Sequence, residues 1–243
     1  MTTVLDVQGL DKGFGEGEGR REVIRGLDLQ VEAGRFEAVM GASGAGKSTL
    51  LHLLAGLIPA DGGRIAVDGQ DLGALGDAEM SVFRRRRIGL VFQDYNLIPT
   101  LTVEENVELP FLLDRRRADE AEVGRLLGAL GLEGVRKRLP EGLSGGERQR
   151  AAIARALARR PAIVLADEPT GNLDSPAAKA FCGMLRRLNG ESGCTILMVS
   201  HDPVVSAAAD RVHLLRDGRF VDSFATCGNA ERVAERYLTA MRG

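Results

Sequence analysis

The sequence predicts an α/β fold in which helices cover a largely parallel β-sheet. Short apolar runs that are typical of buried strands alternate with longer runs of helical periodicity. A glycine-rich turn, GASGAGKS, follows one of the apolar runs and precedes a leucine-rich helix. From about residue 94 to residue 160 the strand signals disappear and helical patterns with charged faces take over, which predicts a helical subdomain inserted into the sheet domain.

Each element follows from a local pattern. Predicted strands are short apolar runs, and Asp-Gly pairs at 68–69 and 217–218 indicate hairpin turns. Before the helical segment we predict strands at 4–7 and 23–31, joined by a flexible glycine-rich connector at 13–19, and a strand at 35–40. A helix at 48–57, which Pro59 stops, a hairpin strand at 65–67 and a strand at 88–92 follow. After the helical segment we predict strands at 163–166 and 195–199 on either side of a helix that starts at Ser175, and a terminal hairpin of 212–215 with 220–221.

Composition and charge restrict the function. The length of 243 residues fits one α/β domain with a subdomain. A formal net charge of −2 argues against a nucleic-acid binder with a dominant basic surface. The arginine runs at 84–87 and 115–117 have no interleaved aromatic residues, so we expect solvated faces beside the subdomain hinge. His213 has no partner for a cluster in the sequence, and we expect none.

The cysteines and the first residues indicate a soluble chain in a reducing compartment. Three widely spaced cysteines, Cys182, Cys194 and Cys227, argue against a disulfide framework, and we expect idle thiols. The first residues show no basic region followed by an apolar run, so we expect no signal peptide. The longest stretch without a charge, 48–60, is shorter than the roughly 20 residues that span a bilayer. Work at a membrane would therefore need another chain to supply the span.

Residues 41–48 fit the pattern GxxxxGK[ST], which binds phosphate for a specific physical reason. Glycines let successive backbone N–H groups point at phosphate oxygens, and the following helix adds the positive end of its dipole. Lys47 would reach the β- and γ-phosphates, and the Ser48 hydroxyl would ligate Mg²⁺. The residues predicted to bind nucleotide here are Gly41, Ala42, Ser43, Gly44, Ala45, Gly46, Lys47, Ser48 and Thr49.

Two carboxylates follow the predicted strand at 163–166. A carboxylate at the end of a neighbouring strand holds Mg²⁺ in proteins with such a phosphate loop, and this role fits Asp167. Glu168 projects differently from the strand end and could polarise the attacking water. The alternative is that two acidic residues simply open a loop before Pro169.

A third motif, LSGGERQR at 143–150, predicts a capped helix that runs to Arg160. Ser144 and Glu147 form an S-x-x-E capping box. Ser144, Gly145 and Gly146 at a helix N-terminus are also suited to bind phosphate. A chain with its own phosphate loop has no obvious need for a second phosphate site, unless that site serves the nucleotide of another subunit.

Together with His201, these motifs resemble the ABC-type ATPases in order and spacing over residues 4–222. The resemblance implies a P-loop NTPase (RecA-like) ABC ATPase core with an N-terminal antiparallel β subdomain and an inserted helical subdomain. Residues 1–243 would then be one domain, with the core and β subdomain at 1–92 and 161–243 and the helical signature subdomain at 93–160. It also implies ATP and Mg²⁺ as cofactors. Two chains would pair head to tail, each ATP lying between the phosphate loop of one and residues 144–147 of the other.

The resemblance assigns roles to further positions. Gln93 would contact Mg²⁺ or the attacking water, His201 would hold the γ-phosphate, and residues 172–174 would cross the dimer interface. Phe14 would stack on adenine, with a place in the core as the alternative. The implied sets are catalytic Glu168, His201 and Gln93, metal-binding Ser48, Gln93 and Asp167, and partner-nucleotide-binding Ser144, Gly145, Gly146 and Glu147.

Glu147 within the signature and the pair Gly171 and Asn172 resemble one branch of the family, the lipoprotein-releasing and macrolide-exporting ATPases. That branch implies an ATP-hydrolysing subunit on the cytoplasmic face of the cell membrane that powers a separate permease, for export or extraction of a lipoprotein, peptide or drug-like substrate. Because the branch includes a cell-division ATPase, mechanotransmission without transport is the alternative. A single phosphate loop without CxxC or long heptads disfavours a DNA-repair or translation ATPase. We expect a permease helix to dock at 93–98, around Tyr95 and Leu97, unless this is an ordinary loop.

Overall fold

The computed structural model describes residues 2–242, except for the side chain of Glu18. The strands are β1 (Thr3–Phe14), β2 (Arg21–Glu32), β3 (Phe36–Met40), β4 (Gly62–Val67), β5 (Gln70–Asp71), β6 (Ile88–Val91), β7 (Ile163–Asp167), β8 (Thr195–Ser200), β9 (Arg211–Arg216) and β10 (Arg219–Ala225). The α-helices are α1 (Lys47–Leu54), α2 (Asp77–Arg87), α3 (Val103–Leu112), α4 (Glu120–Ala129), α5 (Gly145–Leu157), α6 (Ser175–Ser192), α7 (Pro203–Ser206) and α8 (Ala230–Arg242). Within this part of the chain, no helix is long and apolar enough to cross a membrane.

A six-stranded sheet in the order β10-β9-β3-β8-β7-β6 forms the centre of the molecule. All neighbours in it are parallel except β9 and β10, which form the predicted terminal hairpin. The register pairs Met40 with Ser200 and Asp167 with Val199, so β3, β7 and β8 end at the same edge. The loops that carry the predicted phosphate-binding and acidic residues therefore leave the sheet side by side.

Side chains of the central strands alternate between two buried clusters, one on each face of this sheet. In β3, Phe36, Ala38 and Met40 join the cluster that includes the helices α3 to α6, whereas Val39 joins the cluster that includes α1 and the N-terminal strands. Strands covered on both faces are continuously apolar, as these are. Because both faces of the sheet are covered, the carboxyl edge of the strands is where the loops of the candidate site are accessible.

A second, antiparallel sheet in the order β2-β1-β4-β5 confirms the N-terminal β subdomain. Its first two strands are longer than the predicted 4–7 and 23–31. Residues 13 and 14 of the predicted flexible connector belong to β1, where Gly13 pairs with Glu22 and Phe14 with Arg21. Backbone hydrogen bonds to β2 extend β1 into the predicted connector. The connection between the two strands is therefore shorter than predicted and contains one 3₁₀ segment, Gly17–Gly19.

Two helix ends differ from the prediction, and one helix, α2, was missed. α1 ends at Leu54 rather than at 57, because Gly56, with φ of +61°, already turns the chain out of the helix before Pro59. α5 ends at Leu157, three residues before Arg160, which has φ of +48°. α2 was not predicted: it carries four arginines in its last turn and no fully buried residue, so it lacks the apolar periodicity of a core helix.

Candidate functional site

The phosphate loop between β3 and α1 has a backbone that only glycine accommodates at two of its positions. A Cβ atom on Gly41 would lie 2.5 Å from the carbonyl oxygen of Leu215. Gly46 has φ of +101°, and a Cβ there would lie 3.0 Å from the carbonyl oxygen of Val23. The loop therefore packs closely against β9 of the central sheet and β2 of the antiparallel sheet.

Lys47 is folded over this loop and is nearly buried, with 5% of its side chain exposed. Its ammonium donates hydrogen bonds to the carbonyl oxygens of Gly41 and Ala42, both at 3.0 Å. The carboxylate oxygen Oε1 of Glu168 lies 3.5 Å from the same nitrogen. A buried cation held only by carbonyls and one carboxylate is well placed to bind an anionic phosphate that enters the loop.

Ser48 and Asp167 contact each other at the start of α1 and the end of β7. The Ser48 hydroxyl donates to Oδ1 of Asp167 at 3.0 Å. Burial raises the pKa of Asp167, and the hydrogen bond from Ser48 and the charge of Lys47 oppose that rise. These two oxygens are hard ligands that fit Mg²⁺. Residues 2–242 contain no cluster of three or more His, Cys, Asp or Glu that could hold a metal.

Glu168 lies between Lys47 and His201 in an unusual backbone conformation. Its φ is +40°, and its backbone N–H donates to the carbonyl oxygen of Val199 at 3.1 Å. Its Oε2 contacts Nδ1 of His201 at 3.0 Å, although 62% of the histidine side chain remains exposed. Strained residues of this kind cluster at functional sites because the surrounding structure must hold them.

Gln93 lies beside the segment predicted to cross the dimer interface. The side-chain amide of Asn172 donates to the carbonyl oxygen of Gln93 at 3.0 Å, and a Cβ on Gly171 would lie 3.1 Å from Nε2 of Gln93. No signal in the sequence indicated this contact between distant loops. Within residues 2–242, no hydrogen bond connects the Gln93 side chain to Ser48 or Asp167, so its role in metal binding stays a prediction.

The capping box of the signature motif is confirmed. The Ser144 hydroxyl accepts a hydrogen bond from the Glu147 backbone at 3.3 Å, and Oε2 of Glu147 accepts from the backbone and the hydroxyl of Ser144, both at 2.7 Å. The hydrogen bond from the Ser144 backbone N–H, and to a smaller extent the one from its hydroxyl, hold the pKa of Glu147 below its usual value. Among the described residues, no hydrogen bond or ion pair joins residues 144–147 to the phosphate loop. Phosphate binding by residues 144–147 stays a prediction.

Phe14 lies at the end of β1 with 47% of its surface exposed, which rules out the alternative of a core residue. The ammonium of Lys12 lies 5.5 Å from its ring centre. Asp61 fixes both neighbours of the ring, because it accepts from Nζ of Lys12 and from the backbone N–H of Gly13, each at 2.8 Å. The exposed ring is available for stacking, and adenine binding by Phe14 stays a prediction.

His213 has partners, contrary to expectation. Its Nε2 lies 2.7 Å from Oε2 of Glu37, and its Nδ1 lies 3.0 Å from the Ser223 hydroxyl. These residues come from three adjacent strands, β3, β9 and β10. No local pattern indicates this contact, because 176 positions separate Glu37 from His213.

A glycine-rich phosphate loop at the carboxyl edge of a parallel sheet, with a serine and an aspartate beside its lysine, defines a nucleotide-binding protein of the P-loop class. Comparison with known proteins narrows this class. Residues 24–171 match the family model described as ABC transporter, and the chain belongs to that family. It is an ATP-binding subunit of the ABC type and an ATPase.

Relatives and solved structures support this assignment. The chain is 48% identical over 223 residues to a lipoprotein-releasing system ATP-binding protein LolD of Anaeromyxobacter dehalogenans, covering 90% of this chain and 93% of the relative. It is 39% identical over 218 residues to a bacitracin export ATP-binding protein BceA of Halalkalibacterium halodurans, covering 89% and 86%. A dimeric post-hydrolysis structure of the ATP-binding cassette MJ0796 with ADP and Pi has a TM-score of 0.83 at 36% identity, covering 91% of this chain and 98% of that chain.

Proposed function

We propose that two copies of this chain pair head to tail around two ATP molecules and drive a separate transmembrane permease from the cytoplasmic face of the membrane. The observation that carries the proposal is the separation of the two phosphate-binding segments within one chain. Each segment has its own hydrogen bonds, yet within residues 2–242 no hydrogen bond or ion pair joins the two, so a second chain would complete each site. The dimeric state of the similar cassette supports this arrangement.

The residues of the site divide the chemistry between them. The backbone amides of the phosphate loop and the ammonium of Lys47 bind the β- and γ-phosphates. Ser48 and Asp167, with Gln93 from its loop, would hold Mg²⁺, which neutralises charge on the transferred phosphoryl group. Glu168 orients the attacking water and accepts its proton, while His201 positions the carboxylate and contacts the γ-phosphate. Ser144, Gly145, Gly146 and Glu147 of the other chain close the site.

We further propose that residues 93–160 act as a helical subdomain that moves on a core formed by 1–92 and 161–243. The cargo we propose is a lipoprotein, peptide or drug-like molecule that is exported or extracted. The names of the similar LolD and BceA proteins, which concern lipoprotein release and bacitracin export, support this class of cargo.

A groove of about 590 Å³ between α2, β6, α3 and α5 is the proposed seat for the permease. Phe92, Ile98, Leu109 and Pro110 contribute apolar surface to it, and Arg155 is one of the basic groups that line it. A short amphipathic helix would match this mixture of apolar and basic groups.

In this proposal Ile98 replaces Tyr95 and Leu97 as the residue that the permease contacts. Tyr95 is half-buried under α5, where the Arg148 guanidinium lies 5.7 Å from its ring centre and Arg155 donates to its carbonyl oxygen at 2.9 Å. Leu97 packs against the core. Neither side chain lines the groove, whereas Ile98 does and is 36% exposed.

The test is co-purification with the permease in detergent and stimulation of ATP hydrolysis by the permease. Ile98→Glu places a carboxylate in the apolar part of the groove and is expected to reduce both by about ten-fold or more. The carboxylate would lose its water when a helix covers it, and it would compete with the helix for Arg155. Leu238→Glu, on the exposed side of α8, is the matched control. Equal stimulation of Ile98→Glu and wild type, at an unchanged melting temperature, would reject this groove as the permease seat.

A further inference from the structure

The end of α3 and the loop that follows it expose two consecutive leucines. Leu112 is 54% exposed and Leu113 is 59% exposed. Among the large apolar side chains that are exposed in residues 2–242, they are the only pair adjacent in sequence. An exposed apolar pair of this kind indicates a contact surface, whereas scattered single residues do not.

Three arginines without an ion-pair partner within residues 2–242 follow the leucines after one aspartate, Asp114. Arg115, Arg116 and Arg117 are exposed, and no side chain among the described residues forms an ion pair or hydrogen bond with their guanidinium groups. The next acidic residues, Asp119 and Glu120, belong to the start of α4, where Asp119 caps the helix by accepting from the Ala121 backbone at 2.9 Å. The loop itself therefore carries net positive charge.

A buried aspartate holds this loop in one conformation. The side chain of Asp114 is 2% exposed and contacts the guanidinium groups of Arg85 at 3.3 Å, Arg86 at 2.8 Å and Arg159 at 2.9 Å. The Arg116 backbone N–H also donates to the carbonyl oxygen of Phe111 at 3.0 Å. These contacts hold the leucines in an exposed position, so the loop loses little conformational entropy when it binds.

From this geometry we infer that the lipid loop, residues 112–117, binds the surface of an anionic lipid bilayer directly. Arginines at a membrane surface are attracted to anionic headgroups, and neighbouring leucines enter the boundary of the acyl chains. Nucleic acid would satisfy the arginines but not the leucines, and the loop has no aromatic side chain on which bases could stack.

The position of the loop fits this inference. Leu113 also lines the proposed permease groove, so a groove docked on a membrane protein would bring the loop to the membrane surface. The lipid contact is separate from permease docking, because the isolated chain would make it. Only the orientation of the loop toward the membrane rests on the proposed function.

The experiment is sedimentation of the purified full-length chain with protein-free vesicles. The probe vesicles contain phosphatidylcholine with phosphatidylglycerol, and pure phosphatidylcholine vesicles are the comparison. We expect binding to the anionic vesicles that is at least ten-fold stronger than to the neutral ones and that weakens at high salt. Arg116→Glu with Arg117→Glu should lower the partition coefficient at least ten-fold, since each arginine near such a surface contributes about five-fold.

Matched variants separate the lipid loop from bulk effects. Arg219→Glu with Arg242→Glu changes the net charge equally at exposed positions on β10 and α8, away from the lipid loop, because β10 and β6 form opposite edges of the sheet. Leu112→Ser should weaken vesicle binding several-fold, whereas Leu238→Ser, with a parent side chain 53% exposed, should not. Melting temperatures check that each variant is folded.

Three results would overturn the inference. These are equal vesicle binding by wild type and the double lipid-loop variant, equal loss of binding in the control variant, and competition by DNA at the lipid loop without binding to vesicles. Co-purification with the permease in detergent contains no bilayer, so it tests the proposed function separately. Leu112, Arg116 and Arg117 are outside the proposed groove lining, which keeps the two failures distinguishable.

Discussion

At the scale of single residues, the proposed hydrolysis depends on how Glu168 is held. Its carboxylate contacts the Lys47 ammonium at 3.5 Å and the His201 imidazole at 3.0 Å, and its backbone has φ of +40°. A phosphate in the loop would compete with the carboxylate for Lys47, and this competition would leave Oε1 of Glu168 available to water. Such a backbone conformation costs energy, and proteins retain it mainly where the position of the residue is needed for function.

Glu168→Gln tests this role. The amide keeps the size of the side chain but cannot accept a proton, so hydrolysis should fall by about 10²–10⁴-fold. ATP binding should persist and the ATP-bound dimer should accumulate. Single-turnover hydrolysis and light scattering with ATP measure the two effects, with Glu191→Gln, an exposed position on α6, as the control. Turnover near the wild-type rate would remove Glu168 from the mechanism.

At the scale of elements, a buried polar contact ties three strands of the central sheet together. Glu37 on β3 and His213 on β9 are 6% and 7% exposed, and Ser223 on β10 closes the contact at 3.0 Å. β3 leads directly into the phosphate loop. The contact therefore stabilises the strand that positions the loop, although it lies outside the proposed catalytic site.

Glu37→Ala is expected to destabilise the protein by roughly 3 kcal/mol, because it leaves the buried imidazole of His213 without its acceptor. Ser223→Ala should cost about 1 kcal/mol, the typical contribution of one hydrogen bond. Urea unfolding measures both, and Glu22→Ala, with 65% of its side chain exposed, is the control. If Glu37→Ala unfolds at the same urea concentration as the control, the contact is not a stabilising one.

The elements also show what a sequence can predict. The phosphate loop, the capping box at Ser144 and the hairpin turn at Asp68 were predictable, because each depends on residues that are neighbours in the chain. Helix α2 was missed because Met80 and Phe83 contact the core only in part and give no continuous apolar stripe. The contacts of His213 and Tyr95 join distant segments, so only the folded register determines them.

At the scale of the whole molecule, the proposed dimer gives each chain two halves of different ATP sites. The phosphate loop lies at the edge of the central sheet, and the signature residues lie at the start of α5, whose nearby contacts are Tyr95 and Asn172. No hydrogen bond or ion pair within residues 2–242 joins the halves. The central claim is therefore that Ser144 acts on the nucleotide bound to Lys47 of the other chain.

Mixing two inactive variants tests this claim most directly. Lys47→Ala removes the cation of its own phosphate loop, and Ser144→Arg places bulk and charge where the γ-phosphate of the partner's ATP belongs. A heterodimer of the two keeps one intact composite site, whereas each homodimer keeps none. The measurement is ATP hydrolysis by each variant alone and by the mixture. We predict that each variant alone is inactive and that the mixture recovers part of the wild-type rate. Wild-type activity of Ser144→Arg alone, or a mixture that stays inactive, would contradict the claim.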